Sequence, residues 1–274
     1  MNSHEKLDVL KKNIGTLGNV LVAFSGGVDS TFLLHTCVEV LGKDNVLAVT
    51  AISPTYQKEE AEWAKKCAAS IQVRHILIHT HEMENREFAE NTRERCYLCK
   101  RELFSRLRAL AEKYSIPHVL EGSNMDDEGD FRPGMRAARE LDIISPLRDA
   151  GLTKEDIRTL SKEMGLSTHD KPSQACLASR FPYGERITEE KLAMVAEAEA
   201  FLRKLGFTTV RVRNHGPLAR VEVGREYMGK MLDEHMRAMV VDELKRIGYT
   251  WICLDLAGYR SGSMNEVLDD HEAV

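Results

Sequence analysis

Residues 20–34 read Val-Leu-Val-Ala-Phe-Ser-Gly-Gly-Val-Asp-Ser-Thr-Phe-Leu-Leu. This stretch starts as an apolar run of strand length, turns at Gly26 and Gly27, and continues as an apolar segment of helical character. Glycines let a backbone approach an anion closely, the hydroxyls of Ser25 and Ser30 add donors, and a helix N-terminus presents unpaired N–H groups. The alternative is a capped tight turn, but six consecutive positions fit the anion-binding pattern. The stretch predicts a phosphate-binding turn between a strand and a helix.

The sequence around this turn has the pattern of a doubly wound parallel sheet. Short apolar runs alternate with amphipathic stretches of helical period through the first half of the chain. Ligands of such sheets bind at the carboxyl ends of the strands. We predict strands at residues 19–24, 46–52, 73–79, 118–121 and 142–145, with helices that begin near Ser30, Lys58, Tyr97 and Pro133.

The second half of the sequence predicts a smaller α+β domain. Pro146 ends the last strand of the first half, and Thr153 with Asp156 forms a capping-box start for a helix that reaches Met164. We predict a nucleotide-binding domain over residues 1–150, a linker over 151–187, and a small substrate-binding or oligomerisation domain over 188–274. In the last of these, helices are expected at 189–205 and 228–247, and strands at 209–213, 219–223 and 251–255.

Composition excludes several classes of protein. With 274 residues, 43% apolar and 30% charged, the chain is typical of a globular protein with more than one core. The net charge of −5 gives no overall basic footprint for nucleic acid. No apolar run approaches the roughly 20 residues needed to span a bilayer, and the first residues do not resemble a signal peptide. The sequence therefore predicts a cytoplasmic protein without nucleic-acid or membrane partners.

The six cysteines are expected to be reduced thiols, because they are scattered along a chain without secretory features. Cys37, Cys67 and Cys253 lie in apolar segments, which favours buried packing roles. Cys96 and Cys99 have C-x-x-C spacing, but a zinc site needs two further ligands and no second C-x-x-C exists. A redox pair remains open for these two thiols, and their role is unassigned.

A second polar loop follows the fourth predicted strand. Residues 121–127 read Glu-Gly-Ser-Asn-Met-Asp-Asp, and Asp-Phe-Arg-Pro-Gly follows at 130–134. In a doubly wound sheet this loop faces the first one across the crevice. Gly122, Asn124 and Asp127 are therefore candidate ligand-binding residues, and a turn rich in aspartate and glycine is the alternative.

Cys176 lies in a different kind of loop. Residues 171–184 read Lys-Pro-Ser-Gln-Ala-Cys-Leu-Ala-Ser-Arg-Phe-Pro-Tyr-Gly, a polar and partly cationic segment that can both stabilise and expose a thiolate. Among the cysteines, Cys176 is the candidate nucleophile.

These motifs resemble a known family. Residues 25–30 are similar to the SGGxDS loop of the PP-loop ATP pyrophosphatases, which have an adenine nucleotide alpha hydrolase-like fold, and no Walker A motif is present. Residues 171–184 resemble the P…CLASR.PYG motif of the ATP-dependent sacrificial sulfur transferases, the LarE family of nickel-pincer cofactor biosynthesis. Further matches lie, in order, at residues 95–100, 211–216, 218–223 and 254–265, so the resemblance covers nearly the whole chain.

The resemblance implies a reaction. ATP is cleaved between its α and β phosphates and adenylylates a carboxylate of pyridinium-3,5-biscarboxylic acid mononucleotide. The Cys176 thiolate then forms a thioester, and breakage of its Cβ–S bond leaves a thiocarboxylate on the substrate and dehydroalanine at position 176. ATP is expected at Ser25, Gly26, Gly27, Asp29, Ser30, Gly122, Asn124 and Asp127, with Asp29 also holding Mg²⁺.

The same resemblance implies a substrate site in the second half. Arg211 and Arg213 alternate along a strand, so both project from one face and could clamp the substrate phosphate, although a solvated basic face is the default without the family match. Ser179 and Arg180 are candidate oxyanion or phosphate donors. Glu222 is a further candidate for substrate binding, and Glu222 or His215 is a candidate for the base in the elimination step. Glu199, beside Glu197 on the same helix, is a candidate ligand for a divalent ion. The alternative for these two glutamates is that they are ordinary solvated carboxylates on a helix surface.

Three other functions are also compatible with the sequence. A PP-loop tRNA thiolase would be expected to present a basic surface, and an ammonia-dependent amidotransferase would leave Cys176 without a task. A nucleotide-binding module would bind ATP without turnover. Some family members are thought to use an iron–sulfur cluster held by three cysteines, and Cys96 with Cys99 keeps that alternative open. Family analogy also implies a homo-oligomer, a hexamer.

Overall fold

The computed structural model describes residues 1–127, 134–172, 175–260, 262–264 and 266. The chain divides into two compact units. The first comprises Met1–Phe88 and Glu94–Gln174, and the second comprises Ala89–Arg93 and Ala175–Val274. The predicted linker, residues 151–187, is thus shared between the two units.

A parallel sheet of four strands forms the centre of the first unit, as far as the structure describes it. Its order is β3-β2-β1-β4, with Val20 of β1 paired to Val46 on one side and to His118 on the other. β1 is apolar along its length because helices cover both faces of the sheet. The strands are β1 (Val20–Ala23), β2 (Val46–Ile52), β3 (Arg74–His79) and β4 (His118–Leu120).

Helices cover the sheet on both faces, which confirms the predicted doubly wound α/β fold. One core cluster contains Leu10, Phe32 and Ile157, and the cluster on the other face contains Phe104 and Ala137. The helices described in or bordering this unit are α1 (Ser3–Gly15), α2 (Val28–Leu41), α3 (Lys58–Ile71), α4 (Arg86–Ala89), α5 (Arg95–Lys113), α6 (Gly134–Glu140), α7 (Pro146–Asp149) and α8 (Lys154–Glu163).

Two local predictions in this unit have opposite outcomes. The capping box at the start of α8 is confirmed, since Thr153 and Asp156 exchange side-chain to backbone hydrogen bonds. The strand predicted at residues 142–145 is wrong, because the structure has only an isolated bridge between Leu120 and Ile144. Asp142 is in the left-handed region at φ 50°, and α7 begins at Pro146, so too few residues are extended to form a ladder.

The second unit has a three-stranded sheet within its described residues, in the order β5-β6-β7. β5 and β6 are antiparallel, whereas β6 and β7 are parallel. Val212, Val221 and Leu244 belong to the core between one face of this sheet and its helices. The elements are α9 (Glu189–Lys204), β5 (Val210–His215), β6 (Leu218–Val223), α10 (Met228–Leu232), α11 (Glu234–Ile247) and β7 (Trp251–Leu254).

The single helix predicted over 228–247 is wrong. Asp233 leaves the helical region, with φ −58° and ψ 137°, and its side chain accepts a hydrogen bond of 3.0 Å from the N–H of Met236. The aspartate thus ends α10 and caps α11, because a short acceptor side chain satisfies the free N–H groups of a new first turn.

Burial of the cysteines is partly as predicted. Cys37 and Cys67 are buried, but Cys253 is exposed, so the packing role predicted for it is wrong. Cys253 lies on β7 at the edge of the sheet and alternates with the partly buried Ile252 and Leu254, which places its side chain on the open face. None of the described helices is both long and apolar enough to cross a membrane.

Candidate functional site

The turn between β1 and α2 is shaped by its glycines. Gly26 has φ 69°, and a Cβ there would lie 3.0 Å from the Cα of Ala64, so only glycine fits. Gly27 is the N-cap of α2 and makes no side-chain cap, which leaves the first N–H groups of the helix to a ligand. The hydroxyl oxygens of Ser25 and Ser30 lie 3.0 Å apart across the turn. The turn therefore gathers backbone and hydroxyl donors around one small space.

The second polar loop packs directly on the start of α2. A Cβ on Gly122 would lie 3.2 Å from the N of Ser30, so a larger residue would push the loops apart. Asn124 is buried, and its Nδ2 lies 3.4 Å from Oδ1 of Asp29. Asp127 accepts a 2.9 Å hydrogen bond from the Asn124 N–H. The structure thus brings Gly122 and Asn124 to the phosphate-binding turn, and Asp127 contacts Asn124. The motif residues 130–133 lie outside the described residues.

Asp29 also contacts a lysine that no sequence motif indicated. Lys154 is the first residue of α8, and its Nζ lies 2.5 Å from Oδ2 of Asp29. The capping box placed Lys154 at a helix start, but no local pattern showed which loop that helix end would meet. A second lysine without a motif, Lys171, donates to the carbonyl of Gly26 at 3.2 Å.

Asp29 is the side chain of this turn whose chemistry suits a magnesium ion. In the part of the chain that the structure describes, no three or more histidine, cysteine and acidic side chains are grouped to hold a metal alone. Mg²⁺ takes oxygen ligands, keeps several waters and uses substrate phosphates, so one or two carboxylates suffice. The Asp29 carboxylate, at the start of a helix with free N–H groups, supplies such a ligand.

Cys176 is exposed and belongs to the second unit. It directly precedes a single 3-10 turn, Leu177–Arg180, which ties its carbonyl oxygen down. That oxygen accepts hydrogen bonds from the N–H of Ser179 at 3.0 Å, from the Ser179 hydroxyl at 2.8 Å and from Nη1 of Arg180 at 3.2 Å. The thiol is therefore open to solvent on a main chain that is held in place.

Arg180 holds this turn from within the core. It is fully buried and forms a bidentate ion pair with the equally buried Glu199, at 2.8 and 3.0 Å. Burial alone would raise the pKa of Glu199, but the Arg180 charge and hydrogen bond outweigh it, and the pKa is lowered. The alternative prediction, that both glutamates are solvated helix carboxylates, is wrong for the buried Glu199. It is confirmed for Glu197, which is half-exposed and pairs with Arg246.

The strand face with Arg211 and Arg213 adjoins the same turn. Nη1 of Arg213 donates to the carbonyl of Ser179 at 3.1 Å, and its Nη2 lies 2.7 Å from Oε2 of the buried Glu222. Both arginines are buried, so the default of a solvated basic face is wrong. Arg211 lies 5.2 Å from the ring centre of Tyr259, and burial with the neighbouring Arg180 charge lowers its pKa.

The two candidates for the base differ in their surroundings. Glu222 is fully buried, accepts hydrogen bonds from Arg213 and Ser263, and forms an ion pair with Arg220 at 3.3 Å. His215 ends β5, and burial followed by the Arg220 charge lowers its pKa. Its Nε2 is buried and has no hydrogen-bond partner within the described chain.

Cys96 and Cys99 lie in the first turns of α5. Cys96 is exposed and Cys99 is partly buried. The structure leaves their role open, as the sequence does.

The strand, glycine turn and helix of the first unit define a PP-loop nucleotide-binding protein, and residues 4–120 match the NAD synthase family. The chain is 38% identical to pyridinium-3,5-bisthiocarboxylic acid mononucleotide synthase of Lactiplantibacillus plantarum, over 92% of this chain and 91% of that protein. It therefore belongs to the LarE family of ATP-dependent sulfur transferases, and the resemblance seen in the motifs is confirmed.

Two uncharacterized proteins are similar over almost their whole lengths. One, from Synechocystis sp., is 43% identical over 96% of this chain and 98% of its own. The other, from Methanocaldococcus jannaschii, is 31% identical over 94% of this chain and 98% of its own. The similarity thus extends through both units and is not confined to the nucleotide-binding one.

Proposed function

We propose that this chain adenylylates a carboxylate of pyridinium-3,5-biscarboxylic acid mononucleotide and then gives up the sulfur of its own Cys176 to make a thiocarboxylate. The observation that carries the proposal is the exposed Cys176 thiol on a turn fixed by the buried Arg180 and Arg213. Buried arginine–glutamate pairs are a rigid support for a reacting group, since each charge is held by its partner. The product is a thiocarboxylate precursor of a nickel-pincer cofactor.

The first step uses the PP-loop. The N–H groups at Gly27 and the start of α2, with the hydroxyls of Ser25 and Ser30, hold the ATP phosphates. Asp29 would hold Mg²⁺, which would supply positive charge to offset the charge on the departing pyrophosphate. The substrate carboxylate attacks the α phosphorus, and pyrophosphate leaves with its bonding electron pair.

In the second step the Cys176 thiolate attacks the acyl carbon of the adenylate and AMP leaves, which forms a thioester. A base then removes the Cα proton of residue 176. The electron pair becomes the Cα=Cβ bond, the Cβ–S bond breaks, and sulfur leaves on the substrate as a thiocarboxylate. Glu222 and His215 are the candidates for that base. Arg211 and Arg213 bind the substrate phosphate, and the Ser179 hydroxyl is the donor to the acyl group. Arg180 is fully buried and its nitrogens contact Glu199 and the carbonyls of Ala175 and Cys176, so it supports the turn and does not donate to the substrate.

The setting follows from the chemistry. We propose a cytoplasmic location, because the reaction needs a reduced thiol and a supply of ATP. A hexamer, implied by the family, is the proposed assembly, and native mass spectrometry tests it directly.

Glu199 as a ligand of a divalent ion stays a prediction, although its oxygens accept hydrogen bonds from Arg180, Arg203 and the Val212 N–H.

The proposal is tested with a pair of cysteine variants. With ATP, Mg²⁺ and the pyridinium dicarboxylate mononucleotide, Cys176→Ser should still release pyrophosphate but form no thiocarboxylate. Cys253→Ser, which removes the other exposed thiol of the second unit, should behave as the unchanged protein. Thiocarboxylate formation by Cys176→Ser would contradict the proposal and point to a cluster or to external sulfide. Absence of pyrophosphate release from the unchanged protein would overturn the adenylylation step.

A further inference from the structure

The PP-loop has an outer rim of side-chain donors that no motif predicted. The hydroxyl of Tyr56 donates to the carbonyl of Ser25 at 2.9 Å. The carbonyl of Gly26 accepts two hydrogen bonds, from Nε1 of Trp63 at 3.1 Å and from Nζ of Lys171 at 3.2 Å. Two consecutive carbonyls of the turn are thus held from outside.

This arrangement fixes where the loop amides point. In a planar trans peptide the C=O and N–H point in opposite directions. Donors on the Gly26 carbonyl therefore turn the N–H of Gly27 to the inner side of the loop, where it lies 3.3 Å from the Ser25 hydroxyl. Carbonyl oxygens would repel a phosphate, so a loop with its carbonyls held outward is preorganised for an anion.

Lys171 is itself firmly placed. Its Nζ lies 2.6 Å from Oε2 of Glu60 and 5.1 Å from the ring centre of Trp63, and its side chain is only 14% exposed. Its own carbonyl accepts from Nη2 of Arg158 at 2.9 Å, and the carbonyl of His169 accepts from Nη1 of the same arginine at 2.7 Å. Both the side chain and the main chain of Lys171 are therefore anchored within the first unit.

Lys171 also has a special place along the chain. It is near the end of the first unit, and the segment that carries Cys176 follows directly in the sequence. Any movement of the Gly26 carbonyl would reach the lysine that begins this segment through their 3.2 Å hydrogen bond.

We infer that Lys171 is a positioning residue that presets the PP-loop for ATP and transmits nucleotide occupancy to the start of the cysteine segment. The inference deepens the proposed function and rests on its use of ATP. Lys171 acts through the Gly26 peptide and does not contact the reacting atoms. The inference names neither the sulfur donor nor the acceptor, so it can fail while the sulfur chemistry stands.

The test uses intrinsic fluorescence in a single-tryptophan protein. The chain has two tryptophans, and Trp251→Phe leaves Trp63, whose indole donates to the Gly26 carbonyl, as the sole reporter. In this background, titration with α,β-methylene-ATP and Mg²⁺ should change Trp63 emission. Lys171→Met should raise the Kd about tenfold, the effect of losing one charged donor, while Lys171→Arg should stay within about threefold because it can still donate and stack.

A matched control and a second readout separate positioning from general damage. Lys11→Met is the control, because it removes a lysine–glutamate pair of the same length, 2.6 Å, between Lys11 and Glu39 of α2. This variant should leave the Kd for the nucleotide unchanged. Hydrogen exchange should show residues 165–172 slowed by the nucleotide in the unchanged protein and in Lys171→Arg, but not in Lys171→Met.

An unchanged Kd in Lys171→Met, or the same nucleotide-dependent slowing of exchange, would overturn the inference and leave the proposed function standing. If the unchanged protein bound no nucleotide by fluorescence or exchange, both the inference and the ATP step of the proposed function would be overturned.

Discussion

At the scale of single residues, the support of Cys176 depends on charges that are buried in pairs. Arg180 contacts the carbonyls of Ala175 and Cys176, and its charge is balanced by Glu199. A charge at zero exposure without its partner is very unfavourable, because no water replaces the lost contact. The position of Cys176, the proposed nucleophile, is therefore sensitive to the carboxylate of Glu199 on α9.

Substitution of Glu199 should be far more damaging than substitution of its neighbour Glu197. Glu199→Ala leaves Arg180 buried without its counter-ion and should lower the free energy of unfolding by about 3–5 kcal/mol. Glu197→Ala on the same helix breaks an exposed pair with Arg246 and should cost under about 1 kcal/mol. Urea denaturation at pH 7 measures both, and equal losses would contradict the role given to Glu199.

His215 should make stability fall in mild acid. Burial and the Arg220 charge lower its pKa from the usual 6.5, so below that pH the unfolded chain takes up a proton that the native chain does not. Stability should therefore decrease as pH falls from 7.5 to about 5.5, above the range where carboxylates titrate. His75, whose pKa burial also lowers, adds to the slope.

His215→Gln should reduce this pH dependence without removing it. The urea midpoint at several pH values measures the slope. If the slope of His215→Gln equals that of the unchanged protein, the account of His215 is wrong.

Residue-scale features were predictable where a local spacing determines them. The run from Ser25 to Ser30 was sufficient to find the PP-loop, but Lys154 and Lys171 reach it across long sequence separations. Burial of Glu199 does have a signal in the sequence, because this residue shares a helical stripe with Leu192, Val195 and Leu202. A carboxylate on an apolar stripe indicates a buried partner.

At the scale of elements, the turn from β1 to α2 depends on a glycine for two separate reasons. Gly26 has a positive φ, and its missing Cβ also leaves room for Ala64 on α3. Gly18 has a nearly identical φ of 71°, but a Cβ there would meet nothing within 4 Å. A comparison of Gly18 with Gly26 therefore separates the cost of backbone strain from the cost of steric contact.

Gly26→Ala should be worse than Gly18→Ala in both stability and nucleotide binding. Gly18→Ala should cost about 1–2 kcal/mol, the strain of a left-handed alanine. Gly26→Ala should cost more, since the loop must also move away from α3, and it should abolish the fluorescence response of Trp63 to nucleotide. Denaturation and titration of the two variants test this, and equal behaviour would show that packing against α3 is unimportant.

Most helices and strands were predictable from the sequence, because the hydrophobic periodicity and the capping residues indicate the same element. The strands of the parallel sheet and the capping box of α8 follow the sequence pattern closely. The two failures arise at aspartates, where Asp142 takes a left-handed conformation and Asp233 divides a helix. Both segments are apolar enough to continue the element, and the break depends on one residue's backbone angles, which periodicity does not report.

At the scale of the whole molecule, the chain has two compact units, each with its own core. The nucleotide loop belongs to the first unit and Cys176 to the second. Homologues match through both units, which is consistent with a reaction that needs both. We propose that one residue of this protein is consumed when the product forms.

Intact mass spectrometry with peptide mapping across Cys176 tests that claim most directly. The protein is measured before and after incubation with ATP, Mg²⁺ and the pyridinium dicarboxylate mononucleotide. We predict a loss of about 34 Da, one H₂S, located at residue 176, with the Cys253 peptide unchanged. An unchanged mass while thiocarboxylate accumulates would contradict it, because the sulfur would then come from another source.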